Sequence, residues 1–260
     1  MALVRVGDLQ MNVVELGPPD GIPLVLLHGF TGTGMREWAM QVDAFSAQYR
    51  VIVPDLRGHG GTDNPGGRPA MNHRQFADDV ALLCDRLDIT RAVFIGESTG
   101  SMLQLALALQ RPDLVAGSVL SAATFYWSPE LRASNGTGRP EDLVRLWFPD
   151  PQVFDEFRSA HTALGPDHWR TVIGDFIALF AHDHDLDFPR ESELSGIQCP
   201  VLIVHGDRDH QFAPELACRL YRLLPQAELC ILPRTGHWPP SEQPEAFNLL
   251  TDEFLKRLTM

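Results

Sequence analysis

Short apolar runs, many of them β-branched, alternate with longer amphipathic stretches along most of the chain. The apolar runs cover residues 24–28, 51–55, 92–96, 115–121, 201–205 and 228–232. Strands that are buried on both faces of a parallel sheet have this composition, and crossover helices fill the intervals between them. The pattern therefore predicts an α/β fold with a mostly parallel sheet.

The amphipathic stretches carry signals for helices and for an edge hairpin. We expect helices over the intervals 36–48, 98–110, 214–224 and 244–258, and a further helix capped by Asn72 with Gln75 three residues later. Residues 2–6 and 9–16 alternate around a Gly-Asp turn, as an antiparallel hairpin does. Together these elements predict an eight-stranded sheet with helices on both faces.

One segment breaks the alternation, because no convincing strand lies between residues 121 and 200. This interval is too long for a simple connection, so we expect a helical cap, or lid, over 122–199 inserted into a core made of 1–121 and 200–260. Residues 121–190 hold half of the chain's 22 aromatic residues. These aromatic side chains either line an apolar pocket or form the core of a small helical subdomain.

The charge balance limits the kind of partner. The formal net charge is −13, and basic residues form no run, which argues against nucleic acid or an anionic membrane. A neutral or cationic small molecule is easier to accommodate. Lys256 is the chain's single lysine, so catalysis through a lysine Schiff base has almost no candidate.

The cysteines and the apolar segments predict a cytoplasmic protein. Cys84, Cys199, Cys218 and Cys230 have no C-x-x-C spacing, which is typical of reduced thiols. The first residues enter a strand pattern directly, without the apolar core of a secretory leader. No apolar stretch approaches the length of a membrane span.

The strongest chemical signal is a serine in a tight turn. Residues 96–100 have the pattern G-x-S-x-G, centred on Ser98, between the apolar run 92–95 and a helical pattern. A strand, a sharp turn and a helix around a serine constitute a nucleophile elbow. The N-terminus of the following helix offers backbone N–H groups to a developing oxyanion.

Candidates for an acid and a base follow two later strands. Asp207 and Asp209 come after the run 201–205, and His237 comes after the run 228–232. The carboxyl ends of parallel strands meet at one edge of the sheet, where ligands bind. The order along the chain is therefore serine, aspartate, histidine.

On these residues the chain resembles the α/β-hydrolase superfamily, and in particular its lid-bearing serine esterases, over nearly its full length. Two further motifs support the resemblance, at residues 27–32 and 55–62. The resemblance implies that Ser98 is the nucleophile, that His237 is the general base, and that Asp209 orients the histidine, with Asp207 as the second choice. It also implies that no cofactor or metal is needed.

By the same resemblance, the backbone N–H groups of Phe30 and Thr99 form the oxyanion hole, and His28 organises the loop before it. Two residues depart from the usual family pattern. Many relatives have histidine, tyrosine or asparagine where this chain has Glu97, and glycine where it has Ser101. The Glu97 carboxylate either favours the imidazolium of His237 or, as we expect, makes a structural hydrogen bond. We expect Ser101 only to crowd the helix slightly.

Alternating histidine and aspartate residues over 181–187 look like metal ligands. Their spacing is wrong for two ligands on one helix face, and the resemblance implies no metal. We expect a solvated acidic hinge there.

The resulting prediction is a serine hydrolase that cleaves an ester or lactone of a small to medium, partly apolar substrate. A carbon–carbon bond hydrolase or a menaquinone-pathway-like lyase with the same triad is an alternative, which requires arginines inside the pocket. The candidates are Arg132, Arg139, Arg145, Arg158 and Arg170. A receptor of the same fold with little turnover is a third interpretation. The sequence does not define the oligomeric state.

Overall fold

A single eight-stranded sheet forms the centre of the computed structural model, which describes residues 2–135, 139–180 and 188–258. The strands are β1 (Ala2–Val6), β2 (Leu9–Leu16), β3 (Pro23–Leu27), β4 (Arg50–Pro54), β5 (Ala92–Glu97), β6 (Val115–Ser121), β7 (Val201–Gly206) and β8 (Ala227–Leu232). Their order in the sheet is β1-β2-β4-β3-β5-β6-β7-β8. The β1–β2 hairpin pairs antiparallel with β4, and the other strands are parallel. The predicted fold class is confirmed.

Helices follow most of the parallel strands. Those before β7 are α1 (Gly34–Phe45), α2 (His73–Arg86), α3 (Thr99–Gln110), α4 (Pro129–Asn135), α5 (Pro140–Trp147), α6 (Pro151–Ala160) and α7 (His168–Leu179), and those after it are α8 (Pro214–Leu223), α9 (Pro239–Glu242) and α10 (Pro244–Arg257). Asn72 caps α2 as predicted, because its side chain accepts the Gln75 backbone N–H at 2.9 Å.

The alternation of side chains along the strands divides the core into two layers. On β3, Leu24 and Leu26 face a layer that includes residues of α1 and α10, whereas Val25 and Leu27 face the layer that holds α2, α3 and α8. All four leucine and valine side chains are fully buried. A strand that buries both faces needs helices on both sides, which is why helices occupy the connections between the parallel strands.

The interval between β6 and β7 carries α4 to α7 and a short 3₁₀ helix, and no strand occurs in its described residues. Polar contacts, which include an ion pair of 2.9 Å between Arg68 and Asp175, join this interval to the segment after β4. His161 accepts the backbone N–H of Gly60 at 3.2 Å, and His168 donates to the carbonyl of Gly58 at 2.8 Å. The predicted acidic hinge at 181–187 lies outside the described residues. Residues 136–138 also lie outside them.

None of the helices in the described ranges combines the length and the apolar character needed to cross a bilayer. The four cysteines are free thiols, with Cys84 buried and the other three partly buried.

A buried ion pair fixes the loop after β4. The guanidinium of Arg57 donates two hydrogen bonds of 2.8 Å to the two carboxylate oxygens of Asp79 on α2. Both side chains are about 2–3% exposed. A planar guanidinium matches a carboxylate in this bidentate geometry, and Asp79 is the buried partner of Arg57, whose other partner, Asp8, is largely exposed.

Replacing Asp79 with alanine should therefore lower the free energy of unfolding by about 3–5 kcal/mol, because it leaves the buried Arg57 guanidinium with only the largely exposed carboxylate of Asp8, at 3.1 Å, as a charged partner. Asp113→Ala removes the carboxylate of the exposed Arg111–Asp113 pair and should leave the free energy of unfolding almost unchanged, because water screens this pair. Urea denaturation of both variants measures the difference. Similar losses in the two variants would show that burial does not govern the strength of the pair.

Candidate active site

Ser98 occupies the turn between β5 and α3 in a strained backbone conformation. Its φ is +48° and its ψ is −113°, a region that residues with a Cβ rarely adopt. Its backbone N–H donates to the carbonyl of Ser121 at the end of β6, at 2.9 Å. This turn lifts the serine side chain out of the sheet at the carboxyl end of β5.

The tightness of the turn depends on two glycines. A Cβ on Gly100 would lie 1.9 Å from the carbonyl oxygen of Leu27, and one on Gly96 would lie 2.3 Å from the carbonyl oxygen of Gly100. Such distances are impossible for a side chain, so only glycine permits this approach of α3 to β3 and β5.

Three residues from three strand ends form a hydrogen-bonded chain. His237 Nε2 lies 3.2 Å from Ser98 Oγ, and His237 Nδ1 lies 2.8 Å from Asp209 Oδ2. The other oxygen of Asp209 accepts the backbone N–H groups of Gln211 and Phe212, at 2.8 and 2.9 Å. Burial acts to raise the pKa of Asp209, but the hydrogen bond and charge of His237 outweigh it and hold that pKa below its ordinary value.

Asp207 has a different position from Asp209. Its carboxylate accepts the backbone N–H of Thr235 at 3.2 Å, so it links the loop after β7 to the loop that carries His237. The structure thus places Asp209 next to His237, whereas Asp207 connects the two loops by a hydrogen bond. Gly206 permits this proximity, because a Cβ there would lie 2.1 Å from the carbonyl oxygen of Gly236.

The loop after β3 presents backbone N–H groups towards the same region. His28 donates from Nδ1 to the Gly29 carbonyl at 2.7 Å and accepts the Leu56 N–H at Nε2, at 2.9 Å. The N–H groups of Phe30 and Thr99 have no acceptor among the described residues. Free donors at a loop and at a helix N-terminus are the components of an oxyanion hole.

Glu97 contradicts the expectation of a structural hydrogen bond. Its carboxyl group is 1% exposed, and neither oxygen has a hydrogen-bond partner among the described residues. One oxygen lies 3.9 Å from His237 Nε2. Burial raises the pKa of Glu97 well above its ordinary value, and the nearby carboxyl groups of Glu37, Asp209 and Glu242 add to this shift.

Ser101 also does more than crowd the helix. Its hydroxyl lies 2.7 Å from the Gly96 carbonyl and 2.8 Å from the Ser121 carbonyl, so it can donate to either strand end. This contact ties the start of α3 to β5 and β6. Sequence reasoning missed it because the two carbonyls belong to different strands.

A cavity of about 470 Å³ opens above Ser98. Its lining residues come from the loop after β3, from α1, from the interval between β6 and β7, and from the loops after β7 and β8, namely Gly29, Phe30, Thr31, Glu37, Ser98, Leu131, Trp147, Phe148, Pro149, Phe176, His210, Gln211, His237 and Trp238. Neither arginine nor lysine is among these described lining residues. The cavity is therefore mostly apolar, with the hydrogen-bonded chain at one wall.

Some aromatic residues of 121–190 line the cavity, and others form part of the hydrophobic core. Trp147, Phe148 and Phe176 line the cavity. Others pack into the core, such as Phe157 and Phe188, which are fully buried. Neither interpretation alone describes the segment.

The five candidate arginines do not line the cavity. Arg139, Arg158 and Arg170 make ion pairs with exposed carboxylates of the same interval. Arg132 donates to the carbonyl of Phe180 at 2.6 Å. In the described ranges, no three histidine, cysteine, aspartate or glutamate side chains are grouped to hold a metal ion.

Sequence reasoning missed Glu37 as a residue of the site. Its side chain on α1 accepts the Gly29 N–H at 2.8 Å, next to the candidate oxyanion loop. Burial raises the pKa of Glu37 to about 8. A single glutamate in an amphipathic helix gives no signal of this position, which arises from the packing of α1 against the loop.

Comparison with known proteins identifies the family. The model of the alpha/beta hydrolase family matches residues 24–248. The chain belongs to the alpha/beta hydrolase family. This assignment is consistent with the sheet order and with the serine, aspartate, histidine order of the site.

Individual relatives of this hydrolase differ in activity. It is 31% identical to a 2-hydroxy-6-oxononadienedioate/2-hydroxy-6-oxononatrienedioate hydrolase of Burkholderia vietnamiensis, over 90% of this chain and 87% of the relative. It is 33% identical to a non-heme chloroperoxidase of Streptomyces lividans, over 90% and 91%. The solved enol-lactonase of Burkholderia xenovorans LB400 superposes with a TM-score of 0.78, 26% identity and coverage of 97% and 98%. Family membership alone therefore does not define the bond that is broken.

The isolation of Glu97 generates a prediction about stability. Because its pKa is raised in the folded protein, the folded state retains a proton that the unfolded chain releases above about pH 4.3. The free energy of unfolding should therefore fall as pH rises above that value, and Glu97→Gln should remove this loss. The stability of the variant relative to wild type should therefore increase steadily as the pH rises from about 4.5 to about 7.5.

Urea denaturation at several pH values measures this difference. Glu253→Gln, on the exposed side of α10, is the matched control and should show no comparable pH dependence. A constant difference between Glu97→Gln and wild type across the pH range would show that Glu97 is ionised in the folded protein.

Proposed function

We propose that the protein is a serine hydrolase that cleaves a carboxylic ester or lactone of a small to medium, partly apolar substrate through an acyl-enzyme. The observation that carries this proposal is the chain Ser98–His237–Asp209 at the wall of a mostly apolar cavity without arginine or lysine. A nucleophile, a base within hydrogen-bond reach and a third group that orients the base are the requirements for acyl transfer.

In the proposed mechanism, His237 accepts the proton of the Ser98 hydroxyl as Ser98 Oγ attacks the substrate carbonyl carbon. Asp209 holds the imidazole by Nδ1 and stabilises the imidazolium that forms. The N–H groups of Phe30 and Thr99 donate to the oxyanion. His237 then protonates the leaving alcohol, and water attacks the acyl-enzyme by the same route in reverse.

The interval 122–199 acts as the cap in this proposal. Its residues Trp147, Phe148 and Phe176 complete the cavity opposite Ser98. Aromatic walls favour an apolar acyl or alcohol group and exclude water from the reacting carbonyl. We expect substrate preference to depend on these three side chains more than on the sheet.

A carbon–carbon bond hydrolase, or a lyase with the same triad, is the second candidate, and the similarity to the Burkholderia vietnamiensis hydrolase favours it. The substrate named for that relative is a dicarboxylate. A buried carboxylate needs a cationic partner, and the described lining of this cavity offers only histidines as cations. The charge of the cavity therefore supports the ester or lactone proposal over this one.

Hydrolysis of p-nitrophenyl esters of increasing acyl length tests the proposal. Wild type should show an initial burst followed by steady turnover, and Ser98→Ala should lower kcat by about 10⁴–10⁶-fold because it removes the nucleophile. The chain-length optimum reports the size of the cavity. Turnover of 2-hydroxy-6-oxononadienedioate without any Ser98-dependent ester hydrolysis would instead support the second candidate, and a single slow acylation would support a receptor.

The two aspartates provide a test of the acid. Asp209→Asn should lower kcat on the order of 10⁴-fold, because the amide cannot hold the imidazole in the required tautomer. Asp207→Asn should lower it by less than about tenfold, because the amide oxygen can still accept the Thr235 N–H. Steady-state kinetics on the best ester measures both. Equal losses would contradict the assignment of Asp209.

A further inference from the structure

Four carboxyl groups from four separate elements lie around His237. Glu37 is on α1, Glu97 ends β5, Asp209 follows β7, and Glu242 is on α9. The charges of the other three all act on Glu97. So many carboxyl groups in one place need hydrogen-bond donors or positive charges to stabilise their ionised forms.

Two of these groups are balanced by hydrogen-bond donors. Asp209 accepts bonds from His237 and from two backbone N–H groups. Glu242 accepts the backbone N–H groups of Gly236 and Trp238, at 2.6 and 3.0 Å. Neither carboxylate therefore calls for a further partner.

Glu37 and Glu97 are not balanced in this way. Glu97 is 1% exposed, and both its oxygens lack a partner among the described residues. Glu37 uses Oε1 for the Gly29 N–H, and no described donor reaches its Oε2. The charge of Arg36 on the same helix acts to lower the pKa of Glu37, but its guanidinium lies 3.8 Å from Glu156 and makes no described hydrogen bond to Glu37. Glu97 is fully buried and Glu37 is partly buried. A carboxyl group that loses water without gaining donors favours either a proton or an external cation.

The cavity gives a cation access to Glu37. Glu37 lines it together with Ser98, so a group held at the nucleophile can also reach this carboxyl. The aromatic side chains of Trp147, Phe148, Phe176 and Trp238 line the same space. The electron-rich faces of aromatic rings attract ammonium groups, and an aromatic wall beside a carboxylate is a favourable site for a quaternary ammonium.

We propose that the substrate carries a cationic nitrogen, and that Glu37, backed by Glu97 and faced by the aromatic wall, binds it beside Ser98. This inference rests on the proposed ester hydrolysis and specifies its substrate class as esters of cationic alcohols or acids. The net charge of −13 would also attract such a substrate to the protein.

Proton uptake and release follow from the same arrangement. Because burial raises the pKa of Glu37 to about 8, this group holds a proton at neutral pH, and a bound cation should displace that proton. The charged and titratable groups that face it are Arg36 on its own helix, Glu97 from β5, and His210 and His237 across the cavity. Preference for a cation should therefore strengthen as pH rises towards about 9.

Two isosteric esters test the proposal. Butyrylcholine and 3,3-dimethylbutyl butyrate differ only in the charge of the terminal group. Wild type should hydrolyse the cationic ester with a kcat/KM at least about tenfold higher at about pH 8, because only this ester can pair with Glu37. The ratio should be smaller at about pH 6, where Glu37 keeps its proton.

Glu37→Gln should reduce the ratio to about threefold or less, since the amide keeps the acceptor for Gly29 but loses the charge. A general loss of activity affects both esters and cancels in the ratio. Glu253→Gln removes the same charge from an exposed position and should keep the wild-type ratio. Equal kcat/KM for the two esters in wild type, or a ratio that survives Glu37→Gln, would overturn the proposal.

Failure of the proposed hydrolysis can be separated from failure of this site. If neither ester is cleaved, calorimetry of choline and of 3,3-dimethylbutanol with the wild-type protein tests binding alone. Choline binding with proton release, visible as a heat that depends on the buffer, and weaker binding to Glu37→Gln would support the cation site without esterase activity. Equal or absent binding of the two alcohols would overturn it.

Discussion

The closeness of α3 to the end of β3 sets the geometry of the whole site. At Gly100 the helix backbone approaches the Leu27 carbonyl so closely that a Cβ would lie 1.9 Å from it. The loop that carries Phe30 begins directly after Leu27, so this backbone contact fixes the Ser98 turn relative to that loop. The strained φ of +48° at Ser98 persists because hydrogen bonds and packing on every side determine it.

A second close approach joins the other two strand ends. Gly206 lies against the backbone of Thr235 and Gly236, and Asp207 bonds across to Thr235. The acid and the histidine are therefore held by two loops that touch through backbone atoms. Backbone contacts do not depend on the identity of most neighbouring side chains, so the site geometry can persist while those side chains vary. This is consistent with relatives that share one fold and differ in activity.

The sequence was informative wherever a signal is local. The strand runs, the Asn72 cap and the turn around Ser98 need only a few neighbouring residues, and the convergence of strand ends then brings Asp209 and His237 to the serine. Glu37 could not be found in this way, because it lies 61 positions before Ser98 in the chain and lines the same cavity only through the packing of α1. The isolation of Glu97 and the divided roles of the aromatic residues also depend on tertiary contacts.

Charges are distributed differently in the candidate site and in the rest of the core. Elsewhere a buried charge is matched, as Arg57 is by Asp79. Beside the nucleophile, neither oxygen of Glu97 has a partner among the described residues, and Glu37 accepts a described hydrogen bond at Oε1 alone. Arg139, Arg158 and Arg170, in the interval between β6 and β7, pair with exposed carboxylates instead. A fold with a large apolar core can tolerate such a local cost, and functional sites are where it is usually found. A ligand with positive charge would gain from this imbalance, whereas a carboxylate ligand would add to it.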